Sequence, residues 1–166
     1  MSRSGRLGSL IPEQVQHGEE TITVRRAWPS SRAGRLARIE GPDSTGRLRA
    51  GLLDLSGTSR ADHRVRLTPY GEDRRLPGLA DAVVGGTLVV HRLRRRAVVK
   101  HSGRYTKVVR DSSAPEITAR TRAGGQLAEQ AGFLSPVVVG SAAGRIDLSV
   151  VPGQDLHTAG GDLGLA

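Results

Sequence analysis

The 166-residue chain contains no cysteine. Neither a disulfide nor a thiolate metal site is available to it, and cysteine usage says nothing about its redox compartment. Aromatic residues are nearly absent as well: Trp28, Tyr70, Tyr105 and Phe133 are all there are. A core built without large rings has to be aliphatic, and it lacks the extra area that aromatic anchors bury. No apolar run approaches the roughly 18 residues that a membrane-crossing helix needs. The arginine-bearing N-terminal stretch is followed by no apolar segment of signal-peptide length. These absences predict a cytoplasmic protein with no membrane association. Lysine is scarce too, since Lys100 and Lys107 are the only two among 25 basic residues.

What is present is modest. Leu, Ile, Val and Phe make up about a quarter of the chain, enough for a small core, and the length suits one domain. The formal net charge is +9, which by itself points to polyanions. The arginines are scattered, however, and with abundant glycine and alanine they read as the codon bias of a GC-rich bacterial genome. Only Arg92-Leu93-Arg94-Arg95-Arg96 clusters, and such a run reads as a solvated hairpin turn. A basic nucleic-acid-binding module remains an alternative, with weak, non-specific affinity. An RNA-binding sheet would interleave aromatics with its basic residues, and only Tyr105 lies on these strands. His17, His63, His91, His101 and His157 are too dispersed for a metal site. Asp54, Asp62, Glu72 and Asp73 have no base or nucleophile at an informative spacing and read as loop charges.

The patterning predicts four stretches. Residues 1–20 are polar and read as a mobile tail. A small β-rich segment follows over 21–75, with β-prone residues at 21–24, alternation over 35–40, a dense turn signal at 41–46, a returning arm over 47–53 and a short strand at 65–67. Residues 76–156 carry the stronger signal: a short helix at 76–83, strands at 86–92, 95–101 and 105–110, a helix, then strands at 136–140 and 145–151. Ser113-Ala114-Pro115-Glu116 has capping-box spacing. Ile117, Gly124, Leu127 and Ala131 recur so as to face the sheet, Gly124-Gly125 weakens the helix, and Gly132 stops it. Residues 157–166 read as a second tail.

Three strand runs with a lysine on the third, then a helix, is how protein kinases hold the phosphates of ATP. The motifs Asp73-Arg74-Arg75-Leu76-Pro77-Gly78-Leu79, Tyr105-Thr106-Lys107-Val108-Val109-Arg110 and Leu148-Ser149-Val150-Val151-Pro152-Gly153, with His91-Arg92 and Arg95-Arg96-Ala97-Val98-Val99 between them, resemble the amino-terminal lobe of the aminoglycoside phosphotransferase family. The resemblance covers about half the chain. It implies an α+β, kinase-like lobe: one five-stranded antiparallel sheet with one main helix, preceded by the small β-rich segment. It also implies that Lys107 pairs with ATP phosphates, that Arg94 and Arg95 lie over them, and that the backbone at Val150 and Val151 meets the adenine edge. The pattern departs from the family in three places. No Gly-rich loop is present. The helix position that would supply a glutamate to the lysine is occupied by Arg122, Ala123 and Gly124, with Glu116 too early and Glu129 too late. No H-x-D-x-x-x-x-N loop occurs, and His157 to Asp162 lacks its spacing, so no catalytic base and no Mg²⁺ ligand is assigned. The expectation is an ATP-binding lobe inactive by itself, from a truncated or split gene product, with a small-molecule acceptor only where a catalytic lobe is supplied and with self-association through an exposed edge carrying Val150, Val151 and Leu156. A third reading is a non-catalytic docking partner of a separately encoded catalytic lobe.

Overall fold

The computed structural model describes residues 11–30, 35–57 and 63–153. In chain order the elements are β1 (Gln14–His17), β2 (Glu20–Thr23), β3 (Arg26–Pro29), β4 (Leu36–Pro42), β5 (Leu48–Asp54), β6 (Arg64–Leu67), α1 (Leu79–Ala82), β7 (Thr87–Arg92), β8 (Arg96–His101), β9 (Arg104–Val108), α2 (Ala114–Gln130), β10 (Val138–Ala142) and β11 (Arg145–Ser149). They form three antiparallel sheets, β1-β2, β3-β4-β5-β6 and β10-β11-β9-β8-β7.

The expected fold class, a single α+β lobe framed on one five-stranded sheet with one main helix, is therefore overturned. Among the described residues the structure is mostly β, 43% strand against 18% helix, with three separate sheets and two α-helices. The reason lies in the amino-terminal residues. Gln14–His17, inside the stretch that reads as a tail, carries a single apolar residue, Val15, yet that residue is buried against Ile22 of its hairpin partner. Arg26–Pro29 has no alternation to announce it, yet it pairs along β4. Residues 1–10 and 154–166, which include most of the two predicted tails, lie outside the described residues.

The four-stranded sheet follows from its pattern. On β4, Ala37 and Ile39 are buried on one face with Leu53 of β5, and the β1-β2 hairpin covers that face with Val15 and Ile22. The β4-β5 turn is held by Asp43, whose carboxylate accepts from the backbone amides of Thr45 at 2.9 Å and Arg47 at 3.0 Å. Gly41 is required where it stands, because a Cβ there would lie 1.8 Å from the carbonyl oxygen of Thr23. The five-stranded sheet buries Leu88, Ala97, Val99 and Val108 on one face, against Leu76, Leu79 and Ala82 from α1 and its approach and Leu48 from β5. Its other face meets α2 through Ile146, Val109, Ala114 and Ile117.

α2 differs in detail from its sequence pattern. It is entered through a 3-10 turn, Asp111–Ser113, so Ser113 takes a helical conformation and makes no side-chain cap. Ala114 and Thr118 are buried and Ile117 is half-buried, but Gly124, Leu127 and Ala131 are exposed. The helix therefore rests on the sheet only by its first two turns. Gly124-Gly125 does not interrupt it, and Gly132, at φ 75°, ends it.

Two buried carboxylates hold β7, Glu40 from the four-stranded sheet and Asp73 from the segment between β6 and α1. Glu40 of β4 accepts from the backbone amide of His91 on β7 at 2.7 Å through Oε2. Arg26 Nε stands 2.6 Å from Oε1, an ion pair out of line for a hydrogen bond. Asp73 accepts from His91 Nε2 at 3.2 Å. No helix among the described residues is long and apolar enough to cross a membrane. Replacing Glu40 by alanine orphans the buried His91 amide and releases Arg26, so stability in urea is expected to fall by about 2 to 4 kcal/mol. A loss under about 0.5 kcal/mol, the range of an ordinary surface change, would show that the junction does not depend on this carboxylate.

Candidate functional site

Lys107 lies on β9, the middle strand of the five. Register sets its direction: it is opposite Val98 on β8 and Ile146 on β11, so these three side chains share a face. Ile146 packs with Ala114 and Ile117, which makes this the face that carries α2. Tyr105 and Val109 alternate onto the same face, while Thr106 and Val108 point into the core behind it. Thr106 is held there by a 2.6 Å hydrogen bond from its hydroxyl to Asp147 Oδ1.

Lys107 is half-buried and has no carboxylate partner among the described residues. Ion pairs among the described residues link Arg26 with Glu40, Arg49 with Glu20 and Asp43, His91 with Asp73, and Arg120 with Glu116, none of them reaching Lys107. Glu116 is thus spent on an exposed pair within its own helix, 3.4 Å from Arg120. Burial, and then the charge of Arg96, hold the Lys107 ammonium below the usual lysine pKa.

The strand ends frame this lysine. At one end, Arg96 and Arg92 close the β7-β8 hairpin two residues from the Val98-Lys107 pair. At the other, β11 runs past Tyr105 and Arg104 and delivers Val150 and Val151, Val150 exposed and Val151 half-buried. Counting rungs at about 3.3 Å each puts Val150 about 13 Å from Lys107 along the strand. Along the sheet the order is Val150 and Val151, then Lys107, then the 93–95 turn.

That turn is tightly held. Arg94 adopts φ 60°, a left-handed conformation that costs a non-glycine residue about 1 to 3 kcal/mol. Its amide donates to Asp73 Oδ2 and its carbonyl accepts from Arg110 at 3.2 Å. Asp73 also accepts from the Arg75 amide at 2.9 Å. Burial pulls the Asp73 carboxyl upward, but the bonds from His91, Arg75 and Arg94 outweigh it and leave its pKa below the usual value. The side chains of Arg94 and Arg95 are exposed, and their charges bear on Arg38 of β4, whereas Arg96 is the cation beside Lys107.

Two features were not expected from sequence. Asp73 reads as a loop charge, yet it is buried and anchors the turn. No local pattern announces this, because its partners come from β7 and the turn after it. An apolar patch, Leu127, Phe133, Leu134, Val137 and Val139, stands exposed along the second half of α2 and the approach to β10, with Phe133 at 70% and Leu134 at 75%. A cavity of about 440 Å³ opens there between Thr121, Phe133, Leu134 and Val138 and does not include Lys107. Leu156, expected on the exposed edge with Val150, lies outside the described residues. No group of three or more potential metal ligands occurs among the described residues.

A charged lysine that the fold disfavours costs stability in return for its position. Because its folded pKa is lowered, the penalty is fully present below that value and is relieved as pH rises toward the unfolded value of 10.5. Lys107→Met is therefore expected to raise the melting temperature at pH 7, by a margin that shrinks as pH approaches 10. A lower melting temperature for the variant would show that Lys107 has a compensating partner.

No protein-family model, no curated protein and no solved structure matches the chain.

Proposed function

We propose that the chain is the ATP-binding part of a small-molecule kinase of the aminoglycoside phosphotransferase type, and that it does not transfer phosphoryl groups by itself. The observation that carries this reading is the setting of Lys107: a partly desolvated ammonium without a carboxylate partner among the described residues, on the middle strand, on the sheet face that carries α2, between the Arg94-Arg95 turn and the Val150-Val151 segment. Such a cation is a ready partner for a phosphate oxygen, which supplies the charge that the protein withholds. A nucleoside triphosphate laid along the strand could span the roughly 13 Å from Val150 to Lys107. Its base would lie against the backbone at Val150 and Val151, and its phosphates at Lys107 with Arg96 adjacent and the turn bearing Arg94 and Arg95 beyond.

The residues fit the nucleotide and do not fit its metal. Phosphoryl transfer needs carboxylate or amide ligands for Mg²⁺ and a base for the acceptor hydroxyl. No H-x-D-x-x-x-x-N sequence supplies them among the 166 residues, and no carboxylate is paired with Lys107. In this reading the acceptor is handled by a separate catalytic part, and the protein belongs to the bacterial cytoplasm.

Calorimetric titration with ATP and with adenosine tests the proposal. ATP is expected to bind more tightly than adenosine, and Lys107→Ala to remove that advantage, about tenfold for one charge-assisted contact. Equal affinities for ATP and adenosine in the wild-type chain, or ATP-dependent phosphorylation of an aminoglycoside by this chain unaided, would refute it.

A further inference from the structure

The β7-β8 turn has a second side, turned toward the four-stranded sheet. Trp28 on β3 is the cross-strand neighbour of Arg38 on β4, and the Arg92 guanidinium lies over its ring, 5.2 Å from the centroid. One indole thus brings together arginines from two sheets. Arg75 and Arg94 arrive by another route, since their amides donate to opposite oxygens of the Asp73 carboxylate. Arg95 follows in the same turn. Arg38 and Arg92 therefore meet at Trp28, and Arg75, Arg94 and Arg95, from the approach to α1 and the β7-β8 hairpin, are near enough for their charges to act on Arg38.

Among the described residues no ion pair neutralises them. The Asp73 carboxylate is fully buried and taken up by His91 and the two amides, and Glu40 is taken up by Arg26 and the His91 amide. The Nε atoms of Arg38 and Arg92 are buried without hydrogen-bond partners. The Arg38 guanidinium makes one long bond, 3.4 Å, to the Pro29 carbonyl. Burial first, then the charges of Arg95, Arg92, Arg94 and Arg75, disfavour its charged form. Guanidinium groups gathered without carboxylate partners suit a polyanion, because their planar forks match phosphate oxygens in pairs.

We propose that Arg38, Arg75, Arg92, Arg94 and Arg95 bind a compact, multiply charged phosphate chain, either free polyphosphate or the phosphate tail of a nucleotide, at a site separate from Lys107. The convergence argues for compactness. A nucleic-acid strand distributes its charge along a backbone and is held by stripes of cations with stacking platforms, whereas here the one aromatic, Trp28, is already covered by Arg92. The site is separate because Arg38 and the Trp28 ring beneath Arg92 belong to the four-stranded sheet, whereas Lys107 shares the α2 face of the other sheet with Val98 and Ile146. It goes beyond the nucleotide reading above and stands if that reading fails.

Trp28 is the sole tryptophan and lies against the site, so its fluorescence reports occupancy. Titration with tripolyphosphate is expected to change that emission saturably. The double variant Arg38→Gln/Arg95→Gln should weaken binding by about tenfold or more, and Lys107→Met by less than about twofold. Arg75→Gln, which leaves the Trp28 contacts and the Asp73 backbone bonds in place, should weaken it as well and guards against misfolding of the double variant. ATP binding here more tightly than tripolyphosphate would identify the nucleotide tail as the source; ATP no tighter would identify the free chain. Unchanged affinity in both arginine variants, loss on Lys107→Met, or tighter binding of a single-stranded oligonucleotide at the same ionic strength would overturn the proposal.

Discussion

The Glu40 carboxylate is the constraint on which the arrangement of the two larger sheets rests. β7 is an edge strand, and an exposed edge would present unpaired amides and carbonyls to any passing chain. Here side chains of the four-stranded sheet occupy it: Glu40 takes the His91 amide, and Arg26, which Glu40 holds, reaches the Val89 carbonyl at 3.5 Å. A buried acid is costly unless its oxygens are satisfied. Oε2 of Glu40 finds its donor only when β7 is in place, beside the Arg26 ion pair to Oε1, so the acid specifies which edge docks and in what register. Asp73 adds a second condition through His91, and the same carboxylate fixes the Arg94 turn. Sheet docking and turn geometry are thus one network.

That network explains how the chain tolerates unfavourable features near its candidate sites. Arg94 is held at a positive φ, Arg38 feels the charges of four other arginines on one side of its turn, and Lys107 is partly desolvated without a counter-ion among the described residues on the other. Each is disfavoured locally, and none would persist in a free hairpin. They persist because the β7-β8 hairpin is bonded to Glu40 and Asp73 on one side and packed through Ala97, Val99 and Val108 on Leu76, Leu79 and Ala82 behind. Stability is concentrated in the core face and the junction, and the open face and the turn draw on it.

Much of this was legible in sequence where local chemistry decides. The alternation of Ala37 and Ile39, the turn at 41–46 and the glycine after α2 are local, and the strands and turn form there. The strand position of Lys107 was legible for the same reason. What failed is long-range. Val15 in a polar tetrapeptide and Trp28 beside a proline become strand residues only because β2 and β4 pair with them, so the three-sheet architecture had no local signal. Leu127 fits a helical stripe by spacing, yet α2 leaves the sheet before reaching it. Asp73 looked like any loop aspartate because its partners are drawn from a distant hairpin. The Arg92-to-Arg96 run read as a solvated turn; only the fold shows Arg38 and Arg75 beside it.

Amide hydrogen exchange at Arg94 tests the central claim most directly. The residue is exposed at a turn, where an amide ordinarily exchanges within the fastest class. If the Asp73 and Glu40 network holds the turn and the sheets as one unit, the Arg94 amide will exchange as slowly as that of His91, both only through opening of the whole junction, and Asp73→Asn will accelerate both. Rapid exchange at Arg94 beside a protected His91 would show a turn that moves independently of the junction and would contradict the account.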